Sequence, residues 1–314
     1  MARGVRVFLT GASGFVMGAV AQQLRERGDD VTALVRSRAR AQRLVALGCD
    51  LVEGDLDTIS TSALAGQDIV VHGAAIYEVG VGAARAKEMR HTNVDGTAQV
   101  LARTKQATVP KTVYVSTIAA FGNTRGAIVT EGFAPIASPT SIYEDTKRRA
   151  HELALAAIRE GQPIVIVQPG QVYGPGDHST IGASFAALAR GRLRYRALAG
   201  VGLCFVHVDD VADGIVRAID QGRAGESYVL GGEIARLDYA YRTLARVTGR
   251  ALPRLLVPDA LLRVAARFPS ALREVVRSAD GVTFWASDAR AQSELGTTPR
   301  VLEVGFRQTF VPGP

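Results

Sequence analysis

The chain has 314 residues and a formal charge of +7, from 37 lysines and arginines against 30 acidic residues. Hydrophobic residues make up 47% and charged ones 21%, so apolar material is ample to offset the entropy of ordering, which excludes a disordered chain. The 33 glycines follow no three-residue period, which excludes collagen, and no apolar run approaches the ~18 residues of a membrane-spanning helix.

The two cysteines, Cys49 and Cys204, are too few and too far apart for a secreted disulfide scaffold. They read as reduced, buried thiols of a cytoplasmic protein. The opening stretch, from Met1 to Gly11, is broken too early by glycine for a signal peptide. Arginines lie along the whole chain without an aromatic-rich basic motif. Neither nucleic acid nor a membrane is therefore expected as a partner, and a phosphate-bearing small molecule would need only a few of these cations.

In chain order, short apolar β-branched runs alternate with longer helical patterns. A run at 5–9 precedes a helical pattern over 15–27, and one at 31–35 precedes another over 39–47. Residues 51–52 lead to a short helix ending near Ala65, and 69–71 lead to a long one over 84–105. Runs at 112–115 and 164–167 flank a helix over 142–159. This alternation predicts an α/β fold with a doubly wound parallel sheet covered on both faces. After Pro169 the rhythm weakens. Strands are expected at 205–208 and 228–230, and helices over 211–219, 239–247 and 261–268. We assign 1–170 to a dinucleotide-binding domain, with 204–231 returning to it. Residues 171–203 and 232–314 then form a smaller, mostly helical substrate region.

Thr10-Gly11-Ala12-Ser13-Gly14-Phe15, with Val16 behind it, sits where the first strand meets the first helix. Glycine is a common loop residue anywhere. At this position it permits a tight turn and lets backbone N–H groups approach a pyrophosphate at a helix N-terminus. The second strand ends in Val35-Arg36-Ser37-Arg38. An acidic residue there would accept the ribose hydroxyls of NAD. Arg36 instead suits a 2′-phosphate, with Arg38 as a helper, so NADP(H) is the expected cofactor and NAD(H) the alternative. Tyr143 and Lys147 stand four apart on a predicted helix and project from one face. A cation there would lower the phenol pKa and let Tyr143 exchange a proton with a carbonyl or alcohol. The five histidines, His72, His91, His151, His178 and His207, lack metal-ligand spacing, so no metal is expected.

These motifs resemble the extended short-chain dehydrogenase/reductase family, also called the NAD-dependent epimerase/dehydratase family. The resemblance covers nearly the whole chain and implies a Rossmann-type fold. It departs at Met17, where the fingerprint has its third glycine. By resemblance, Thr117 carries the catalytic hydroxyl beside Ser116, and Lys147 binds the nicotinamide ribose. Asp55, followed by Leu56, would contact the adenine, with a cap as its plainer role. Ala74 and Ala75, in His72-Gly73-Ala74-Ala75, match the small-residue segment beside the cofactor ribose. Asn93, in Asn93-Val94-Asp95-Gly96-Thr97, matches a structural organiser. Pro169, Gly170 and Val172 belong to the segment that lies near the nicotinamide amide in relatives. Relatives also imply a homodimer through helices that include the Tyr-Lys helix.

Three absences narrow the branch. Thr117 is followed by Ile118-Ala119, so the Asp-Glu pair of sugar-nucleotide dehydratases is missing. Leu203-Cys204 stands where epimerases place Arg-Asp, and Gln168 where many carry an arginine. A diphosphate would then depend on Arg192, Arg194 or Arg196. The remaining pattern resembles the dihydroflavonol-reductase-like branch. The reading is an NADP(H)-dependent reductase of a small, fairly apolar ketone or aldehyde, with Tyr77, Phe121, Tyr173 and His178 as candidate substrate contacts. Phe205 could join them, though core packing is its plainer role. The alternatives are a nucleotide-sugar epimerase with tightly bound NAD and, from another class, a cofactor-sensing regulator without turnover.

Overall fold

The computed structural model describes residues 4–267 and 270–311. Its ten strands are β1 (Arg6–Thr10), β2 (Asp30–Val35), β3 (Asp50–Glu53), β4 (Ile69–His72), β5 (Lys111–Val115), β6 (Ile164–Pro169), β7 (Gln171–Tyr173), β8 (Gly202–His207), β9 (Ser227–Leu230) and β10 (Glu233–Arg236). Seven form one parallel sheet in the order β3-β2-β1-β4-β5-β6-β9. Helix α1 (Phe15–Arg27) and helix α8 (Val208–Gln221) cover one face, packing on Val7, Leu9, Val71, Val113 and Val165. Phe8 and Val70 face the other way, and α6 (Ile142–Arg159) covers Tyr114, Ile164 and Ile166. Burial on both faces is why these strands read as unbroken apolar runs. The strand order reverses between β1 and β4, so a crevice opens beyond their C-terminal ends.

That crevice is where Met17 matters. Met17 is buried on α1, and its thioether lies over Gly73, just beyond β4. A Cβ at Gly73 would stand 2.3 Å from the Met17 sulfur. The missing glycine of the fingerprint is thus offset by a glycine across the interface, and the flexible Met side chain fills the space that Gly73 leaves.

Two differences from the sequence reading have physical causes. The long helix expected over 84–105 is α4 (Ala83–Arg90), one wide π turn at His91–Asp95, and α5 (Gly96–Gln106). The wide turn carries Asn93 inward. Its Oδ1 accepts from Ile76 N at 2.7 Å, and its Nδ2 donates to Ile76 O and to Thr146 Oγ1. The second correction concerns 204–231. From Val208 on, the chain returns to the large sheet, but β8 does not. It pairs parallel with β7 and antiparallel with β10 in a separate three-stranded sheet. Phe205 on β8 is drawn there by an aromatic core with Phe185, Tyr241 and Phe306. The C-terminal region therefore has its own sheet beside its helices α7 (Thr180–Ala189), α9 (Leu237–Thr248), α10 (Asp259–Ala265), α11 (Ser270–Arg277) and α12 (Leu302–Phe310). The helix expected over 261–268 corresponds to α10, and Phe268 lies outside the described residues, as do 1–3 and 312–314.

Gly73→Ala should destabilise the protein by about 1–3 kcal/mol through overpacking. Met17→Ala in the same chain should recover much of that loss. Urea unfolding of the four members of this cycle reads the coupling, and strictly additive effects would refute it.

Candidate active site

The dinucleotide turn is built by close approach of two backbones. Gly11 adopts φ 80°, and a Cβ there would meet Ala74 N at 2.7 Å and Ala74 Cα at 2.8 Å. Only glycine satisfies both the left-handed conformation and the missing space. Gly14 N donates to Gly11 O at 2.8 Å and caps α1, whose first N–H groups open into the crevice beside exposed Ser13. Phe15 and Val16 begin the helix, half-buried. Ala74 N donates to Thr10 Oγ1 at 3.3 Å, which fixes the far wall. This cradle, a helix N-terminus under a glycine turn at the switch point, fits a dinucleotide pyrophosphate.

The other cofactor candidates divide. Arg36 stands exposed at the end of β2, with no side-chain partner among the described residues. Arg38 does not help it, because its guanidinium donates to Leu51 O at 2.6 Å and pairs with Glu53. Asp55 Oδ1 accepts from Asp57 N, Thr58 N and Thr58 Oγ1, which lowers its pKa, first through the Thr58 hydroxyl. These bonds close a turn rather than cap a helix, since the helix at Thr61–Leu64 is capped by Ser60, and Leu56 packs down on Gly96. Ala75 is exposed beyond Ala74. Pro169 ends β6, Gly170 N donates to Leu230 O, and Val172 lies half-buried on β7.

The catalytic candidates come together. The start of α6 is held firmly: Ser141 caps Glu144 N, Glu144 Oε2 accepts from Thr140 N, and Glu274 of α11 accepts from Ile142 N at 2.7 Å. Tyr143 follows on the first turn, close enough to Thr117 for that side chain to lower its phenol pKa, while Thr117 Oγ1 accepts from Ala119 N at 3.2 Å and donates to Pro169 O at 3.5 Å. Thr117 is buried at the end of β5. Lys147, one turn on, is buried, and its Nζ donates to Val115 O at 3.0 Å and to Tyr114 OH at 3.4 Å. Burial lowers the Lys147 amine to about 8. Burial also raises the Tyr143 phenol, the nearby Tyr77 raises it further, and the Thr117 side chain opposes both. The expected lowering of the phenol by Lys147 is thus not what dominates here. Desolvation outweighs it, and the lysine is turned toward Tyr114 and Val115.

Several residues around this trio were not picked out from sequence. His72 joins Thr10 Oγ1 at 2.7 Å and Thr97 Oγ1 at 3.0 Å, and burial holds it neutral with a pKa of about 3. Tyr114 stacks on His72 and lies under the Lys147 ammonium. Ser116 Oγ pairs with His151 Nδ1 at 3.0 Å. The usable signal was strand parity: Tyr114 and Ser116 share the face that α6 covers.

Of the substrate candidates, Tyr77 reaches the site. It is 48% exposed, and its ring meets that of Tyr143 edge-on at 4.7 Å. His178 is exposed on the loop after β7, beside Asp177. Phe121 is a correction, whereas Tyr173, though buried, lines the cleft described below. Phe121 is buried with Ile118, Val129 and Cys204, and Tyr173 is 1% exposed against Phe306 and His207. Phe205 takes its core role. A cleft of about 640 Å3 lies between the 174–178 loop, one side of α7 and Thr309–Phe310. Among the described residues, no group of three His, Cys, Asp or Glu could hold a metal ion.

Comparison with known proteins agrees with this geometry. The model of the NAD dependent epimerase/dehydratase family matches residues 7–231. A Synechocystis protein provisionally named a dihydroflavonol 4-reductase is 33% identical over 258 residues, 80% of this chain and 75% of that one. The Stigmatella aurantiaca 4-hydroxy-2-methyl-3-oxo-4-farnesyl-3,4-dihydroquinoline-1-oxide ketoreductase is 29% identical over 321 residues, 95% and 93% of the two chains. The structure of MoeE5 in complex with UDP-glucose and NAD superposes with a TM-score of 0.79 at 25% identity, covering 97% of each chain.

Acid should weaken the fold through His151. Burial lowers its pKa from 6.5 to about 4. Between those values the unfolded chain binds a proton that the folded one does not, so stability falls as pH drops from 6.5 to 4. The loss is at most about 3 kcal/mol. Urea unfolding across this range should fall less steeply for His151→Gln, and an unchanged slope would refute the assignment.

Proposed function

Because this chain belongs to the NAD dependent epimerase/dehydratase family and is an NAD(P)-dependent enzyme of the extended short-chain dehydrogenase/reductase kind, we propose that it is an NADP(H)-dependent reductase of an apolar ketone or aldehyde. The observation that carries this reading is the gathering of Tyr143 on α6, buried Thr117 at the end of β5, and the buried Lys147 amine one helical turn on, bonded to Val115 O. A nicotinamide cofactor, when bound in the glycine cradle, supplies the hydride that the carbonyl carbon accepts. Thr117 donates a hydrogen bond that orients the carbonyl oxygen. Tyr143 gives its phenolic proton to that oxygen as negative charge builds there. A phenol raised by burial is fully protonated near neutral pH, the state a proton donor needs. Lys147 places positive charge one turn away, which offsets the phenolate left behind. Residues 1–170 and 208–231 are assigned to cofactor binding, and the rest of the described chain to substrate.

Substrate class follows from what is missing as well as what is present. Gln168 is fully buried, and Leu203 lies inside β8. Arg196 is locked to Asp238 and to Pro253 O. These three offer no free cation to a diphosphate, whereas Arg190, on the wall of the cleft, keeps a side chain with no partner among the described residues. The ketoreductase named above acts on a farnesylated ring, and the cleft beside Asp177 is lined by Phe185, Phe310 and alanines of α7.

Tyr143→Phe should lower kcat by about 10²–10⁴ with a panel of apolar ketones and NADPH, with little change in cofactor affinity. Retained turnover would remove Tyr143 from the mechanism. Near-stoichiometric NAD released on denaturing the dialysed protein would instead favour an epimerase.

Arg36→Ala should raise the KM for NADPH by roughly ten-fold or more, the worth of a charge-assisted phosphate contact, and leave that for NADH nearly unchanged. Equal effects on both cofactors would overturn the NADP preference.

A further inference from the structure

We propose that the surface around α10 docks this protein on an anionic lipid membrane. Leu255, Leu256, Leu261 and Val264 are 61, 48, 59 and 52% exposed, four large apolar side chains within ten residues. Single exposed apolar residues are ordinary, but a cluster of this kind marks an interaction surface. Leu261 and Val264 are three apart and share one side of α10, where no residue is buried. Arg196 N donates to Leu255 O and Val257 N donates to Arg196 O, which sets the Arg194–Tyr195 stretch alongside Leu256. Tyr195 is itself 54% exposed.

Charge decides which partner fits. Residues 250–277 hold six arginines against two acids, Asp259 and Glu274, and Glu274 is engaged by Ile142 N. The side chains of Arg194, Arg254, Arg267 and Arg277 have no partner among the described residues. Apolar residues flanked by unpaired arginines suit the headgroup boundary of an anionic bilayer. No described helix is long and apolar enough to cross a membrane, so the contact is with its surface. This departs from the sequence reading, which expected no membrane partner.

The surface also borders the active site. Glu274 holds the start of α6, and the Ala271 carbonyl and Val275 lie against Gly80, on the loop that carries Tyr77. An apolar ketone dissolves in a bilayer, so docking here would put the site beside its substrate. That consequence rests on the reductase reading, whereas the docking is tested without any turnover.

The experiment is co-sedimentation of the full chain with vesicles of phosphatidylcholine mixed with phosphatidylglycerol, and with phosphatidylcholine alone, at about 0.1 M salt. Binding is expected to the mixed vesicles only. Arg254→Gln/Arg267→Gln should weaken it by roughly twenty-fold, at about five-fold per arginine. Leu261→Ser/Val264→Ser should weaken it by roughly ten-fold or more. The distant pair Arg40→Gln/Arg103→Gln should change it by less than about two-fold, because screening confines the effect to arginines near the lipid. Failure of the unaltered protein to sediment with mixed vesicles would overturn the proposal. Equal weakening by the distant pair would too, since binding would then follow overall charge. So would a Leu261→Ser/Val264→Ser variant that keeps vesicle binding but changes a dimer to a monomer in light scattering, which would assign the face to a second copy.

Discussion

The approach of Gly11 to Ala74 is the contact on which the rest of the site depends. With φ 80° and no room for a Cβ, Gly11 lets the first turn close against the end of β4. That closure places the α1 N-terminus and the Gly73–Ala75 segment on two sides of one crevice. It also lets Thr10 and His72 bond across the strand ends, and from His72 the polar contacts run on to Thr97. A side chain at position 11 would push these strand ends apart, and the loss would be felt well beyond one turn.

The chemistry sits on a second constraint, the burial of groups that carry charge only at a cost. Lys147 has Val115 O and Tyr114 OH for partners and no carboxylate among its hydrogen bonds. Burial brings its amine down to about 8, which leaves it mostly ammonium at neutral pH, and the phenol of Tyr143 stays protonated. A bound anionic cofactor would move both groups toward their protonated forms, the ammonium of Lys147 and the neutral phenol of Tyr143. The site is thus poised so that ligand charge completes its electrostatics. Asn93 gives this arrangement mechanical support. It joins Ile76, next to Tyr77, to Thr146, next to Lys147, so the loop and the helix share one anchor.

Much of this was legible in the sequence because periodicity and glycine placement are local signals. The strand runs before Gly11, Arg36, Gly73 and Ser116 each sit in the large sheet, and α6 spans Ile142–Arg159 as its pattern predicts. What escaped depends on contacts between segments distant in the chain. Nothing near Phe121 distinguishes an aromatic that lines a pocket from one that meets Val129. The wide turn at His91–Asp95 arises because Asn93 must reach Ile76, 17 positions away. The separation of β8 from the large sheet follows from partners on β7 and β10 that a single strand cannot announce.

The Met17–Gly73 contact bears on how such a sequence could arise. A chain with glycine at 17 and a side chain at 73 gains methionine only at a cost of about 1–3 kcal/mol, because the thioether meets an occupied Cβ position 2.3 Å away and must shift. Trimming position 73 first leaves only a small void, which a fold tolerates at modest loss. The order of the two substitutions is therefore constrained, and reversal requires the opposite sequence of steps. Neutral drift at either position is conditional on the other, an epistatic ratchet set by packing between α1 and the end of β4.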